Sequence, residues 1–220
     1  MIVALAGGVG GARLANGLAA IVPPGDLLVA VNTGDDFEHM GLTICPDIDT
    51  VTYTLAGLND QERGWGVKNE SWSFMETVRQ LGGPDWFALG DRDVAKHVLR
   101  TERLRRNDSL TAITRDIAHA CGVRQAIVPM SDDPVRTVIE TPEGDLPFQD
   151  YFVRRRCEPV FKGIRFEGAE QARPAPALIA ALCDPALEAI VICPSNPVLS
   201  LGPMLAVPGI APALRAARAP

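Results

Sequence analysis

Apolar positions along this chain follow two rhythms. Ile2–Ala6 and Leu27–Val31 are short unbroken apolar runs, as expected of strands covered on both faces. Between them, Ala12–Ala20 has helical composition, with Leu14 and Leu18 one helical turn apart. Strand, turn, helix and strand predict a βαβ unit whose crossover makes its strands parallel. The helical rhythm then takes over. Helices are expected over Asp49–Leu58, Glu70–Leu81, Asp91–Arg103 and Ser109–Ala120, with Gly82-Gly83-Pro84 stopping the second. A strand is expected over Gln125–Met130, and extended or hairpin segments over residues 135–168, broken by Pro142, Gly144, Pro147 and Gly163. Pro174–Ala181 reads as a helix and Ala189–Cys193 as a buried strand ending in Pro194-Ser195-Asn196-Pro197. Ala211–Pro220 is either a last helix or the stub of a longer chain.

Composition narrows this picture without redrawing it. At 220 residues and 47% hydrophobic, the chain can bury one substantial core. A net charge of −6 offers no basic face for a nucleic acid. The apolar start runs straight into glycines, with neither a basic leader nor a run long enough to span a bilayer. The five cysteines form no C-x-x-C pair and read as reduced thiols of a cytoplasmic protein.

Candidate chemistry begins at Gly7-Gly8-Val9-Gly10-Gly11, directly after the first strand. Glycines let a backbone approach a ligand, and a helix N-terminus suits phosphate. The spacing is neither the dinucleotide fingerprint, since Arg13 replaces its third glycine, nor a P-loop. A glycine turn serving packing alone is the competing reading. Asp35, Asp36, Asp47 and Asp49 form an acidic cluster beside this phosphate cradle, which calls for a divalent cation between them, with magnesium the natural partner. Capping and turn-making account for some of these carboxylates. Asp93 and His97 lie four apart, as a metal pair or as part of a capped helix start that sends Arg92 into the cleft. The Ser195-Asn196 turn is a second wall of a nucleotide site or a structural turn. Trp65, between two glycines, either stacks on a flat heterocycle or packs on its own loop. Arg154-Arg155-Arg156 is either an anion clamp or a solvated charge run.

Eight segments, in order, resemble the 2-phospho-L-lactate transferase family (CofD, called FbiA in actinobacteria). They are Ala6–Arg13, Val31–Asp36, Gly41–Tyr53, Gly64–Gly66, Trp86–His97, Pro129–Asp132, Phe148–Arg155 and Pro194–Pro203. The resemblance implies an α/β fold: a Rossmann-like three-layer sandwich with a mostly parallel sheet. It is one domain over residues 1–220, with an inserted helical region at about 50–120 and a C-terminus short of the family's usual length. It also implies a magnesium-dependent homodimer acting in coenzyme F-420 biosynthesis. A guanosine-diphosphate-linked three-carbon acid would be joined to the ribityl hydroxyl of a deazaflavin precursor, releasing GMP. On the matching positions, Gly8, Gly10, Gly11, Ser195 and Asn196 would bind the nucleotide and its phosphates. Asp35 and Asp47 would hold magnesium, while Asp49, Arg92 and Trp65 would bind the deazaflavin. Asp49 would also orient the hydroxyl or accept its proton. No residue discriminates phospholactate, phosphoenolpyruvate and phosphoglycerate. The rival readings are a nucleotide-sugar-binding regulatory protein of the related gluconeogenesis-factor group and an NAD-dependent oxidoreductase. The stretch from Asp47 to His97 favours the transferase over the first, and the missing fingerprint glycine disfavours the second.

Overall fold

A computed structural model describes all 220 residues. In chain order it contains β1 (Ile2–Ala6), α1 (Gly8–Ile21), β2 (Leu27–Val31), β3 (Phe37–His39), β4 (Leu42–Ile44), α2 (Pro46–Leu55), α3 (Ser73–Gln80), α4 (Asp91–Arg105) and α5 (Leu110–Ala120). There follow β5 (Ala126–Pro129), β6 (Arg136–Thr141), β7 (Gly144–Pro147), β8 (Gly163–Glu167), α6 (Pro176–Leu182), β9 (Ala189–Ile192), α7 (Gly202–Ala206) and α8 (Ile210–Ala216).

The centre is a four-stranded sheet of order β5-β2-β1-β9, with every neighbouring pair parallel. Alternation along its strands builds the three layers. Val3, Leu5, Leu28, Ala30 and Val128 face a core closed by α6, α7 and α8. Ala4, Ala6, Leu27, Val29, Val31 and Ile127 face a second core closed by α1, α2 and α5. The expected α/β sandwich is therefore present. Outside it, β7-β6-β8 form a three-stranded antiparallel sheet, which is what the broken extended segments of residues 135–168 become. A third, smaller cluster of Ile44, Met75 and Leu89 anchors the helical insertion. No single helix is long and apolar enough to cross a membrane.

Some element boundaries differ from expectation for identifiable reasons. Helix α1 begins at Gly8, inside the glycine run, because Gly10 and Gly11 lie in its first turns. Helix α2 begins at Pro46, a residue suited to a first helical position since no N–H is needed there. Ser109 caps α5, its Oγ accepting from the Ala112 N–H at 3.2 Å. The β3–β4 hairpin gave no sequence signal. Its turn takes positive φ at Met40 (51°) as well as at Gly41 (72°), and methionine is not a residue that announces such a turn.

Because β1, β2, β5 and β9 run the same way, their carboxyl ends share one edge of the sheet. The β1–α1, β2–β3 and post-β9 loops all leave from that edge. Beta-1 lies between β2 and β9, so the chain leaves it in opposite directions, making a topological switch point, where open α/β sheets bind ligands.

Candidate functional site

At this edge the glycine turn and the turn after β9 are joined. Ser195 Oγ accepts from the Gly7 N–H at 3.1 Å and donates to the Gly7 carbonyl at 2.8 Å. A Cβ on Gly10 would lie 2.2 Å from the Pro194 carbonyl oxygen, and one on Gly11 would lie 2.7 Å from Ser195 Oγ. These two glycines are thus required by the contact between the two turns, whatever their N–H groups bind. Gly8 has φ of 61°, a left-handed conformation that favours glycine, and its Cβ direction is open apart from Asp47 Oδ1 at 3.8 Å. Asn196 caps the next turn, its Oδ1 accepting from the N–H groups of Val198 at 2.9 Å and Leu199 at 3.0 Å.

Asp47, in the first turn of α2, reaches back to this turn. Its Oδ1 accepts from the Gly8 N–H at 2.8 Å and its Oδ2 from Asn32 Nδ2 at 3.0 Å. Burial raises its carboxyl above the usual range despite both bonds. Asp35, after β2, is pushed well above that range by burial, with the Asp47 and Asp36 charges adding to the effect. Its Oδ1 is buried without a hydrogen-bond partner. Burial also pushes Asp36 up to about 7. Two neighbouring buried carboxylates without a cation form a donor set that fits a hard divalent ion. Asp35 and Asp47, paired by the family resemblance, lie close enough for their charges to interact.

Beside this edge lies a cavity of about 440 Å³ with aromatic walls. Trp65, Trp86, Phe87 and Tyr53 line it, and Asp49, Asp93 and His97 form its polar end. Trp86 is held edge-on by His39, with ring centroids 5.0 Å apart. Arg63 lies over Trp72 at 4.5 Å and over Trp65 at 5.2 Å, so Trp65 is braced by its own loop and also exposed to the cavity. The packing of Trp65 on its own loop is thus observed, and its ring also lines the cavity.

The polar end is a buried network of charges. Arg100, 1% exposed, grips Asp49 with both guanidinium Nη atoms, Nη1 to Oδ2 at 3.0 Å and Nη2 to Oδ1. Lys96 Nζ lies 2.8 Å from Asp49 Oδ1 and 3.1 Å from Asp93 Oδ1. Tyr53 accepts from Lys96 and donates to Asp93 through its hydroxyl. Burial alone would raise Asp49, but Arg100, Lys96 and His97 outweigh it and hold the carboxyl below the usual range. Asp93 is likewise held well below that range, Lys96 and His97 overcoming its burial. Asp49, Asp93 and His97 each bring one ligand atom within 4.8 Å of the others, the geometry of a cation site. Lys96 and Arg100 already occupy that position, so the cluster is compensated and does not call for a metal.

Sequence reasoning had placed Asp49 and Trp65 together, and the cavity joins them. Arg92 is exposed and does not line the cavity, and its N–H donates to Glu70 Oε1 at 2.8 Å. The inward face of α4 carries Asp93, Lys96, His97 and Arg100, and position 92 lies off that stripe. Arg154, Arg155 and Arg156 lie on or near the surface, the first two beside Asp150. Tyr53, Lys96, Arg100, Trp86 and Asn32 were missed as site residues. Only the i, i+3, i+4, i+7 polar stripe on α4 could have pointed to any of them.

The model of the family described as 2-phospho-L-lactate transferase CofD matches residues 2–220. The chain belongs to the CofD family. It is 43% identical over 225 residues to the phosphoenolpyruvate transferase of Kitasatospora aureofaciens, covering 100% of this chain and 70% of that protein. It is 39% identical over 209 residues to the 2-phospho-L-lactate transferase of Methanosarcina mazei, covering 95% of this chain and 68% of that one. A Bacillus halodurans crystal structure shares the fold, with a TM-score of 0.66 at 18% identity over 99% of this chain and 66% of that chain. This CofD chain thus spans about two thirds of the length of the proteins it matches. Family and named relatives support a phosphate-group transferase of coenzyme F-420 biosynthesis.

Proposed function

We propose that this chain transfers a three-carbon acid, as its phosphate ester, from a guanosine-diphosphate-linked donor to the ribityl hydroxyl of a deazaflavin precursor. The hydroxyl oxygen forms a bond to the acid-bearing phosphorus. The bond from that phosphorus to the bridging oxygen breaks, GMP leaves with the electron pair, and the hydroxyl proton is released. The observation that carries this reading is the aromatic cavity of about 440 Å³ with Asp49 at its polar end, set beside the Asp35–Asp47 pair. A flat tricyclic ring fits between tryptophan, phenylalanine and tyrosine faces.

In this reading the N-terminus of α1 at Gly8–Gly11, with Ser195 and Asn196, holds the donor's phosphates and nucleoside. Asp35 and Asp47 hold magnesium, which supplies charge neutralisation to the two phosphates when bound. Trp65, Trp86, Phe87 and Tyr53 hold the ring. Asp49, kept ionised by Arg100 and Lys96, orients a donor group of the acceptor substrate better than it accepts a proton, because its proton affinity is lowered. Catalysis rests on alignment and charge neutralisation.

Product mass spectrometry tests this reading. Each of the phospholactate, phosphoenolpyruvate and phosphoglycerate donors is incubated with deazaflavin precursor, with and without magnesium. One donor should give a phosphodiester adduct and equimolar GMP only when magnesium is present. GMP release without adduct, or an adduct formed equally without magnesium, contradicts it.

A further inference from the structure

We infer that Arg100, assisted by Lys96, is a positioning residue that fixes the plane of the Asp49 carboxylate and presents one of its acceptor positions to the aromatic cavity. The inference rests on the deazaflavin reading and deepens it. A carboxylate has about four acceptor positions. Asp49 Oδ1 accepts from Arg100 Nη2 and has Lys96 Nζ beside it at 2.8 Å as an ion pair. Asp49 Oδ2 uses one, on Arg100 Nη1 at 3.0 Å. His97 Nδ1 stands 3.7 Å from Oδ2, too far to hydrogen-bond it. That nitrogen lies 3.2 Å from Arg100 Nη1 instead. One position on Oδ2 is left, on a residue that lines the cavity.

The same count removes Tyr53 as a hydrogen-bond donor to a ligand. Its hydroxyl already donates its one proton to Asp93 and accepts from Lys96, so it has no proton to offer a ligand. The fork geometry of Arg100 matters more than its charge. Two parallel bonds fix the rotation of the carboxylate about its last torsion, which a point charge cannot do. Arg100 itself is 1% exposed and does not line the cavity, so it acts on a ligand through Asp49.

A double-mutant cycle on the full chain tests this, using fluorescence titration of the deazaflavin precursor and separate KM values for it and for the nucleotide donor. Arg100→Met should weaken deazaflavin binding by about 10-fold while the donor KM stays within about twofold. In an Asp49→Asn background, Arg100→Met should cause no further loss. Arg100→Lys, which keeps the charge without the fork, should resemble Arg100→Met. If Arg100→Met does not fold by circular dichroism, Arg100→Lys and Lys96→Met complete the same cycle. Additive losses, equal weakening of both substrates, or full rescue by lysine would overturn the inference. A wild-type chain that binds no deazaflavin overturns the functional reading and this inference with it. A wild-type chain that binds but gives an additive cycle overturns this inference alone.

Discussion

Asp47 and Asp49 stand two residues apart in the first turn of one helix, both almost fully buried, and their environments are opposite. Asp47 turns toward the glycine turn, where its partners are an amide side chain and a backbone N–H, and where Asp35 adds like charge. Asp49 turns toward α4, where a guanidinium and an ammonium meet it. Burial raises the first and its cations lower the second. A buried carboxylate held only by neutral donors either takes a proton or suits a cation, whereas one paired with two cations is a fixed part of a wall. In the proposed reading, the difference separates a metal site from a substrate-orienting site within a single helical turn.

The largest effect expected from breaking this contrast is on folding. Arg100→Met leaves Asp49 as an uncompensated buried charge and should destabilise the chain by about 3–5 kcal/mol in denaturant unfolding. Asp47→Asn removes a charge that has no cationic partner, but it sets an amide N–H against one of its two donors, Gly8 N–H or Asn32 Nδ2. In metal-free buffer it should therefore cost less, about 1 kcal/mol. Turnover should reverse the order of harm. Asp47→Asn should lower the magnesium-dependent rate by about 100-fold or more, measured as GMP release.

A pH series sharpens the same contrast. Asp35, Asp36 and Asp47 have raised carboxyls, so the folded chain binds more protons than the unfolded one. Their contribution to metal-free stability therefore declines as pH rises, for Asp36 between its ordinary 3.8 and about 7. Asp49 and Asp93 have lowered carboxyls, so their contribution is present above 3.8 and is lost only as pH falls below it. Magnesium should raise the melting temperature more at pH 8 than at pH 5, since protons compete for the same carboxylates. A shift that does not change with pH would remove the metal from Asp35 and Asp47. The smallest effect should be that of Trp86→Ala, which should weaken deazaflavin binding by about 10-fold, or about 1.4 kcal/mol, while leaving magnesium affinity unchanged.

Much of the frame was legible in the chain because it is written in local runs. The strand Ile2–Ala6, the glycine turn and the strand at Ala189 each declare themselves within a few residues. The burial expected of the last does not hold, because β9 is an edge strand and Ile192 is exposed. What the turn's glycines are for was not local. Gly10 and Gly11 are required by Pro194 and Ser195, far along the chain, and their spacing alone could equally have meant a ligand. The contrast between Asp47 and Asp49 was hidden for the same reason. Asp49 meets Arg100 across 51 positions, and nothing in the run Cys45-Pro46-Asp47-Ile48-Asp49 says which carboxylate will find a cation. The polar stripe of α4 was visible as a spacing, but the partner it faces was not.

A deazaflavin fluorescence titration of Asp47→Asn and Asp49→Asn, each with and without magnesium and the guanosine-diphosphate-linked donor, separates the two sites most directly. Asp47→Asn should bind the deazaflavin as tightly as the wild-type chain while showing no response to magnesium. Asp49→Asn should bind it about 10-fold more weakly while keeping the magnesium response. Two variants that lose both responses together, or neither, would contradict the assignment of one helical turn to two ligands.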